Sequence, residues 1–132
     1  MSADGVRTGG CLCGAVRFSV TGPLRDVLNC YCERCRHFTG HHMAATAANA
    51  ADVHVDDPTR QLAWHPVEGA EYGFCRGCGS SMFWRADATP ARLSICAGSL
   101  DQPTGLVTVE GWWASQAGDY FTRPDLPERD TE

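Results

Sequence analysis

Eight cysteines carry most of the chemistry open to this chain. Seven stand in tight groups: Cys11 and Cys13, then Cys30, Cys32 and Cys35, then Cys75 and Cys78. Thiols one or two residues apart suit a metal, because a short turn brings two sulfurs to one ion. Zinc takes about four such ligands in a tetrahedron. The competing reading is disulfide pairing in a secreted chain. Against it, the Met1–Gly10 segment is polar and glycine-rich, without the basic-then-apolar order of a signal peptide. That points to a cytoplasmic address, where thiols stay reduced and are given to metal.

The count divides the ligands. Cys11, Cys13, Cys75 and Cys78 supply two chelating pairs from distant parts of the chain, enough for one closed structural zinc. Cys30, Cys32 and Cys35 are three, and three ligands with an open position is the layout of a catalytic zinc. Such a site could bind a thiolate, polarise a carbonyl or activate water. The bland alternative closes it with Cys96 or with one of His37, His41 and His42, or leaves it empty. Cys96 lies in the apolar run Leu93–Ala97 and reads first as a small buried hydrophobe. An acidic thiol at the open site would call for cations beside it, and Arg34, Arg36 and His37 are the candidates. Trp64, Phe83, Trp84, Trp112 and Trp113 read as core. If the last two share a strand, one faces in and the other out, where it could cover the site or a dimer contact. Asp101 reads as a turn cap.

The elements that must position these groups are short strands. Val16, Phe18 and Val20 alternate with Arg17 and Ser19, which is the period of a half-buried strand. Further strands are expected over 27–30, 53–55, 62–65, 71–74, 82–85, 93–96 and 106–110, with a hairpin around Pro66–Gly69. The alanine-rich 43–51 stretch has helical propensity, but its neighbours are strands and turns, so a strand is expected. The chain of 132 residues fits one mostly-β domain over 1–132, with a core at about 8–115 and a loop-like tail after Trp112. Net charge is −5 and no Lys/Arg cluster offers a basic face, which argues against nucleic acid as a partner. There is no apolar run long enough to span a membrane. A monomer or a homodimer fits equally.

Taken together the motifs resemble a known family. Gly9–Phe18 (GGCLCGAVRF), Cys30–Arg36 (CYCERCR) with Thr39-Gly40, Phe74–Ser80 (FCRGCGS) and Ala97–Asp101 (AGSLD) are similar to the glutathione-dependent formaldehyde-activating enzymes, also called the centromere protein V domain. The resemblance implies a β-rich Mss4-like or β-tent fold of short antiparallel sheets stapled by zinc. It implies a closed zinc on Cys11, Cys13, Cys75 and Cys78 and an open one on Cys30, Cys32 and Cys35. It also implies a carbon–sulfur lyase or synthase that joins formaldehyde to a small-molecule thiol such as glutathione, giving S-(hydroxymethyl)glutathione. The alternative is a non-catalytic zinc-binding interaction module of the Mss4-like type. One departure stands out: Tyr31 occupies a position where the family commonly has His, which bears on the polarity of the site.

Overall fold

The computed structural model describes residues 5–131. The first four residues, part of the segment read above as no signal peptide, and Glu132 lie outside the described residues. Two sheets build the fold. The smaller contains β1 (Arg7–Gly10), β2 (Arg17–Val20) and β5 (Val53–Asp56), in the order β1-β2-β5 and antiparallel throughout. Between β2 and β5 the chain lays down β3 (Val27–Cys30), helix α1 (Glu33–Thr39) and β4 (Met43–Asn49). After β5 come β6 (Leu62–Val67), β7 (Ala70–Cys75), β8 (Ser81–Ala86), β9 (Arg92–Cys96), β10 (Thr108–Trp112) and β11 (Glu128–Arg129). The larger sheet has eight strands in the order β11-β10-β3-β4-β9-β8-β7-β6. The mostly-β class stands, and β10 runs parallel to both its neighbours, β3 and β11.

The alanine-rich stretch is a strand because of its place. β4 lies between β3 and β9 near the middle of the large sheet, so both its edges are paired, and it buries side chains on both faces, where small ones fit. Burial between two strands overrides the helical preference of alanine. Alternation along β4 then separates two interiors. Ala48 joins Phe18, Phe83 and Ile95 in the main core under the small sheet. Met43 and Ala45 face the other way, towards Cys35 and Tyr72.

Three elements were not anticipated. Helix α1 is only seven residues long, too short for a recognisable apolar period. It is held by its ends: the Cys32 sulfur accepts from the Cys35 N–H, and Gly40, at φ 81, returns its N–H to Arg36 O. β1 and β11 also escaped, since neither alternates clearly. The tail is therefore not all loop: the Gly111 N–H donates to Pro127 O and β11 adds itself to the edge of β10. Trp113 does not share the strand with Trp112 either. It sits at φ 58 and opens a short 3-10 turn over Ala114–Gln116. No helix among the described residues is long and apolar enough to cross a membrane.

Candidate metal centres and an adjoining cavity

The first centre is assembled from two turns. Cys11 and Cys13 follow β1, and Gly14 at φ 79 donates its N–H to Cys11 O to close the loop. Cys75 ends β7, and Gly79 at φ 78 donates back to Cys75 O, folding Cys78 under it. Only glycine takes these left-handed angles freely. The four sulfurs lie within 4.8 Å of one another. Cys11 and Cys13 sulfurs are 3.6 Å apart, and Cys13 and Cys75 sulfurs 3.9 Å. A tetrahedron with metal–sulfur bonds of ~2.3 Å has an edge of about 3.8 Å, so the donor set fits a zinc-sized ion. Donors also converge on the sulfurs. The Val16 N–H points at Cys11 Sγ at 3.3 Å, and the Ser80 hydroxyl lies 3.1 Å from Cys78 Sγ. Hydrogen bonding by Ser80 pulls the Cys78 thiol down to about 5, the ligand-ready form.

The second centre sits on the opposite face of the large sheet. Cys30 ends β3, Cys32 caps α1, and Cys35 is buried in the first turn of that helix. Their sulfurs again lie within 4.8 Å, and no further His, Cys, Asp or Glu donor joins them among the described residues. Hydrogen bonds from Cys30 and Cys35 pull the Cys32 thiol down to about 2. The resulting thiolate pushes Cys30 up to about 12. Hydrogen bonding to Cys30 first, then to Cys32, and then burial raise Cys35 well above the ordinary thiol range. The trio thus carries one negative charge comfortably, and a second or third thiolate needs a cation among them. The Tyr72 hydroxyl lies 3.2 Å from Cys35 Sγ. Burial first, and then any negative charge on Cys35, raises Tyr72 far above the ordinary phenol range, so it stays protonated and can donate to that sulfur once it is a thiolate.

A cavity of ≈ 80 Å³ adjoins this second centre. Its floor is one face of five neighbouring strands, carrying Cys30, Met43 and Ala45, Ser94, Trp84 and Tyr72 in turn. Cys30 is opposite Met43, Trp84 opposite Ser94, and Tyr72 opposite Trp84, so these residues point the same way. Trp112, opposite Cys30 on β10, closes one side, while Arg34 and Arg25 complete the lining.

The cationic candidates part company here. Arg34 lines the cavity while its Nη1 donates to Glu68 O at 3.0 Å. His37 does not line it but lies on an adjoining cleft with Phe38 and His65, which shares Arg34 and Tyr72 with the cavity. Arg36 lines neither, and its buried Nε has no hydrogen-bond partner. The other proposed fourth ligands also lie elsewhere. His41 Nδ1 pairs with Tyr120 Oη at 2.6 Å, and His42 packs edge-on against Tyr31 at 5.1 Å. Burial pushes the Cys96 thiol up to about 12, and its sulfur does not join the trio. Tyr31 does not face the cavity: its ring is buried against Gly111, His42 and Phe121, and Asn29 donates to its hydroxyl. Asp101 caps no turn but binds Arg17 at 2.5 Å and the Thr8 hydroxyl at 2.6 Å.

Arg25, Tyr72 and Trp84 are the site residues that the sequence reading missed; of the Trp112-Trp113 pair, it is Trp112 that lines the cavity. Phe83 and Trp84 were both assigned to the core, although period two sends adjacent strand residues to opposite faces. Phe83 is in the main core and Trp84 in the cavity.

Two comparisons bear on this arrangement. A family model described as glutathione-dependent formaldehyde-activating enzyme matches residues 6–116. The crystal structure of a Rhodobacter sphaeroides protein is similar at a TM-score of 0.61 and 26% identity, covering 76% of this chain and 97% of that one.

Proposed function

The chain belongs to the glutathione-dependent formaldehyde-activating enzyme family, and on that premise we propose that it is a zinc-dependent carbon–sulfur lyase or synthase of a thiol–aldehyde adduct. The named reaction is that of S-(hydroxymethyl)glutathione synthase: a bond forms between the thiol sulfur and the aldehyde carbon, and the thiol proton passes to the aldehyde oxygen. Cys11, Cys13, Cys75 and Cys78 would hold a structural zinc, and Cys30, Cys32 and Cys35 a second one. When bound at the trio, zinc supplies a Lewis acid that favours a thiolate over a thiol.

The observation that carries this reading is the incomplete donor set. Three sulfurs converge, no fourth donor side chain joins them among the described residues, and all three line one cavity. A purely structural centre would be closed by the protein. The chain's own residues prepare the place. Tyr72 keeps its proton on Oη, 3.2 Å from Cys35 Sγ, and would donate it to that sulfur as a thiolate ligand. Trp84 and Trp112 give the cavity large apolar walls. Arg34 brings positive charge to its lining. A reducing cytoplasmic setting suits the eight free cysteines.

Exchange NMR of formaldehyde and glutathione, with and without the zinc-loaded protein, tests the reaction directly. Exchange faster than the spontaneous rate is expected; an unchanged rate removes glutathione as the thiol and leaves other thiol adducts to be tried. The catalytic use of the trio is tested by Cys32→Ala. It should lose one of two zinc ions and keep its fold, whereas global unfolding would make that centre structural.

A further inference from the structure

Arg25 is an expensive residue in its place. It lies just before β3 and its side chain is half-buried in the cavity lining. Its backbone is clamped on β4: its N–H donates to Ala47 O at 3.0 Å, and its carbonyl accepts from the fully buried Thr46 hydroxyl. The guanidinium lies 5.6 Å from the centre of the Trp112 ring. Nη2 donates to Ala45 O at 3.1 Å and Nε to Asp26 O at 3.3 Å.

No carboxylate pairs with it among the described residues. Glu110 is near enough to be felt, but its Oε1 already accepts from Trp112 Nε1 at 2.8 Å and Arg129 at 2.9 Å. Arg92 adds like charge. Burial first, and then Arg92, holds Arg25 below the ordinary arginine range. A charge kept half-dry without a counter-ion costs stability unless an anion arrives to meet it. Guanidinium and carboxylate are matched in geometry for that meeting.

Distance sets the size of the anion. On β4, Cys30 lies opposite Met43 and the Arg25 guanidinium is anchored at Ala45. Two residues of strand separate them, roughly 7 Å. The walls between, Leu28, Met43 and Trp84, are apolar. The cavity of ≈ 80 Å³ is well below the several hundred typical of sites for larger ligands.

We infer that Arg25 reads a carboxylate on the substrate, so that the open site takes a short thiol acid, its sulfur at Cys30, Cys32 and Cys35 and its carboxylate two or three carbons away at Arg25. The inference rests on the function proposed above and narrows its thiol. Glutathione places amide groups between its sulfur and either carboxylate and exceeds the cavity, so it would have to leave most of its length outside.

Anaerobic calorimetric titration of the metal-loaded protein with 3-mercaptopropionate, propane-1-thiol and glutathione tests this. One charge-assisted hydrogen bond sets the scale: the acid should bind about tenfold or more tighter than the neutral thiol. Arg25→Gln should weaken the acid by about the same factor and leave propane-1-thiol within about twofold, while Arg25→Lys keeps part of the preference. Equal affinity for acid and neutral thiol in the unmodified protein overturns the inference, and that comparison stands even if the variants fail to fold. Equal weakening of both ligands by Arg25→Gln, or tighter binding of glutathione than of the acid, overturns it as well. Neutral thiol bound without preference removes only the role of Arg25. If no thiol binds, the open-site function falls with it.

Discussion

Tyr72, packed on α1, and His42, just beyond its C-terminal end, show how single side chains do different work. Tyr72 is buried and its hydroxyl touches Cys35 Sγ. Tyr72→Phe keeps the ring and removes one donor, a net cost of about 1 kcal/mol to the fold. Its main effect should fall on the second metal, since losing a group that orients a ligand weakens binding about tenfold or more. Chelator competition on the purified variant should show one of two zinc ions leaving earlier; unchanged competition would mean that Tyr72 only packs. His42 is half-buried beside Tyr31 and Phe121, and its pKa is lowered by burial and then by the charge of His41. The folded chain therefore resists a proton that the unfolded chain accepts at about 6.5. Stability should fall as pH drops below that value, until the folded imidazole itself takes up the proton. His42→Gln should flatten this limb in urea unfolding followed across mildly acidic pH. The same slope in the variant would place the effect elsewhere.

Among the elements, β10 carries the tightest constraint. A Cβ on Gly111 would come 2.7 Å from Tyr31 Cε2, and that ring is fully buried and cannot swing away. Gly111→Ala should cost about 1–3 kcal/mol of stability by overpacking. In a Tyr31→His background, with a shorter ring, the cost should shrink; an identical cost in both backgrounds would show that the clash lies elsewhere. This contact also explains what the sequence could and could not tell. The strands with clean alternation, such as β2 and β9, were legible, and so were the cysteine groups, because chelating turns are local. The cavity was not. It depends on which strands stand side by side, and β3, β4, β9, β8 and β7 come together across the chain in an order that no local pattern encodes. Tyr72 and Cys35 are 37 residues apart and meet only through that order. Tyr31 was read as part of the site from its place between two ligands, yet strand alternation turns it to the other side.

Across the whole molecule, the first centre works as a brace. Cys13 and Cys75 are 62 residues apart, so an ion held between their turns ties the small sheet to the β7–β8 hairpin. By the chain-entropy count used for a cross-link of that length, the tie is worth about 4 kcal/mol. Cys13→Ser should lower the unfolding midpoint strongly and cost one zinc, while Cys32→Ala costs one zinc with a smaller shift; equal shifts would refute the division between a brace and a working site. The large sheet has a different weakness, at its two ends. At one end β6 carries Pro66, which has no N–H to offer a passing chain. At the other, β10 is covered by only two residues of β11, fastened by the Arg129–Glu110 and Arg123–Glu128 pairs. A proteolytic nick between Trp113 and Pro127 would release that cover and bare backbone groups next to the exposed Val107 and Val109. Such a clipped chain would template its own aggregation with every cysteine still in place. In a stored preparation, turbidity should therefore report damage to the tail before any loss of zinc does.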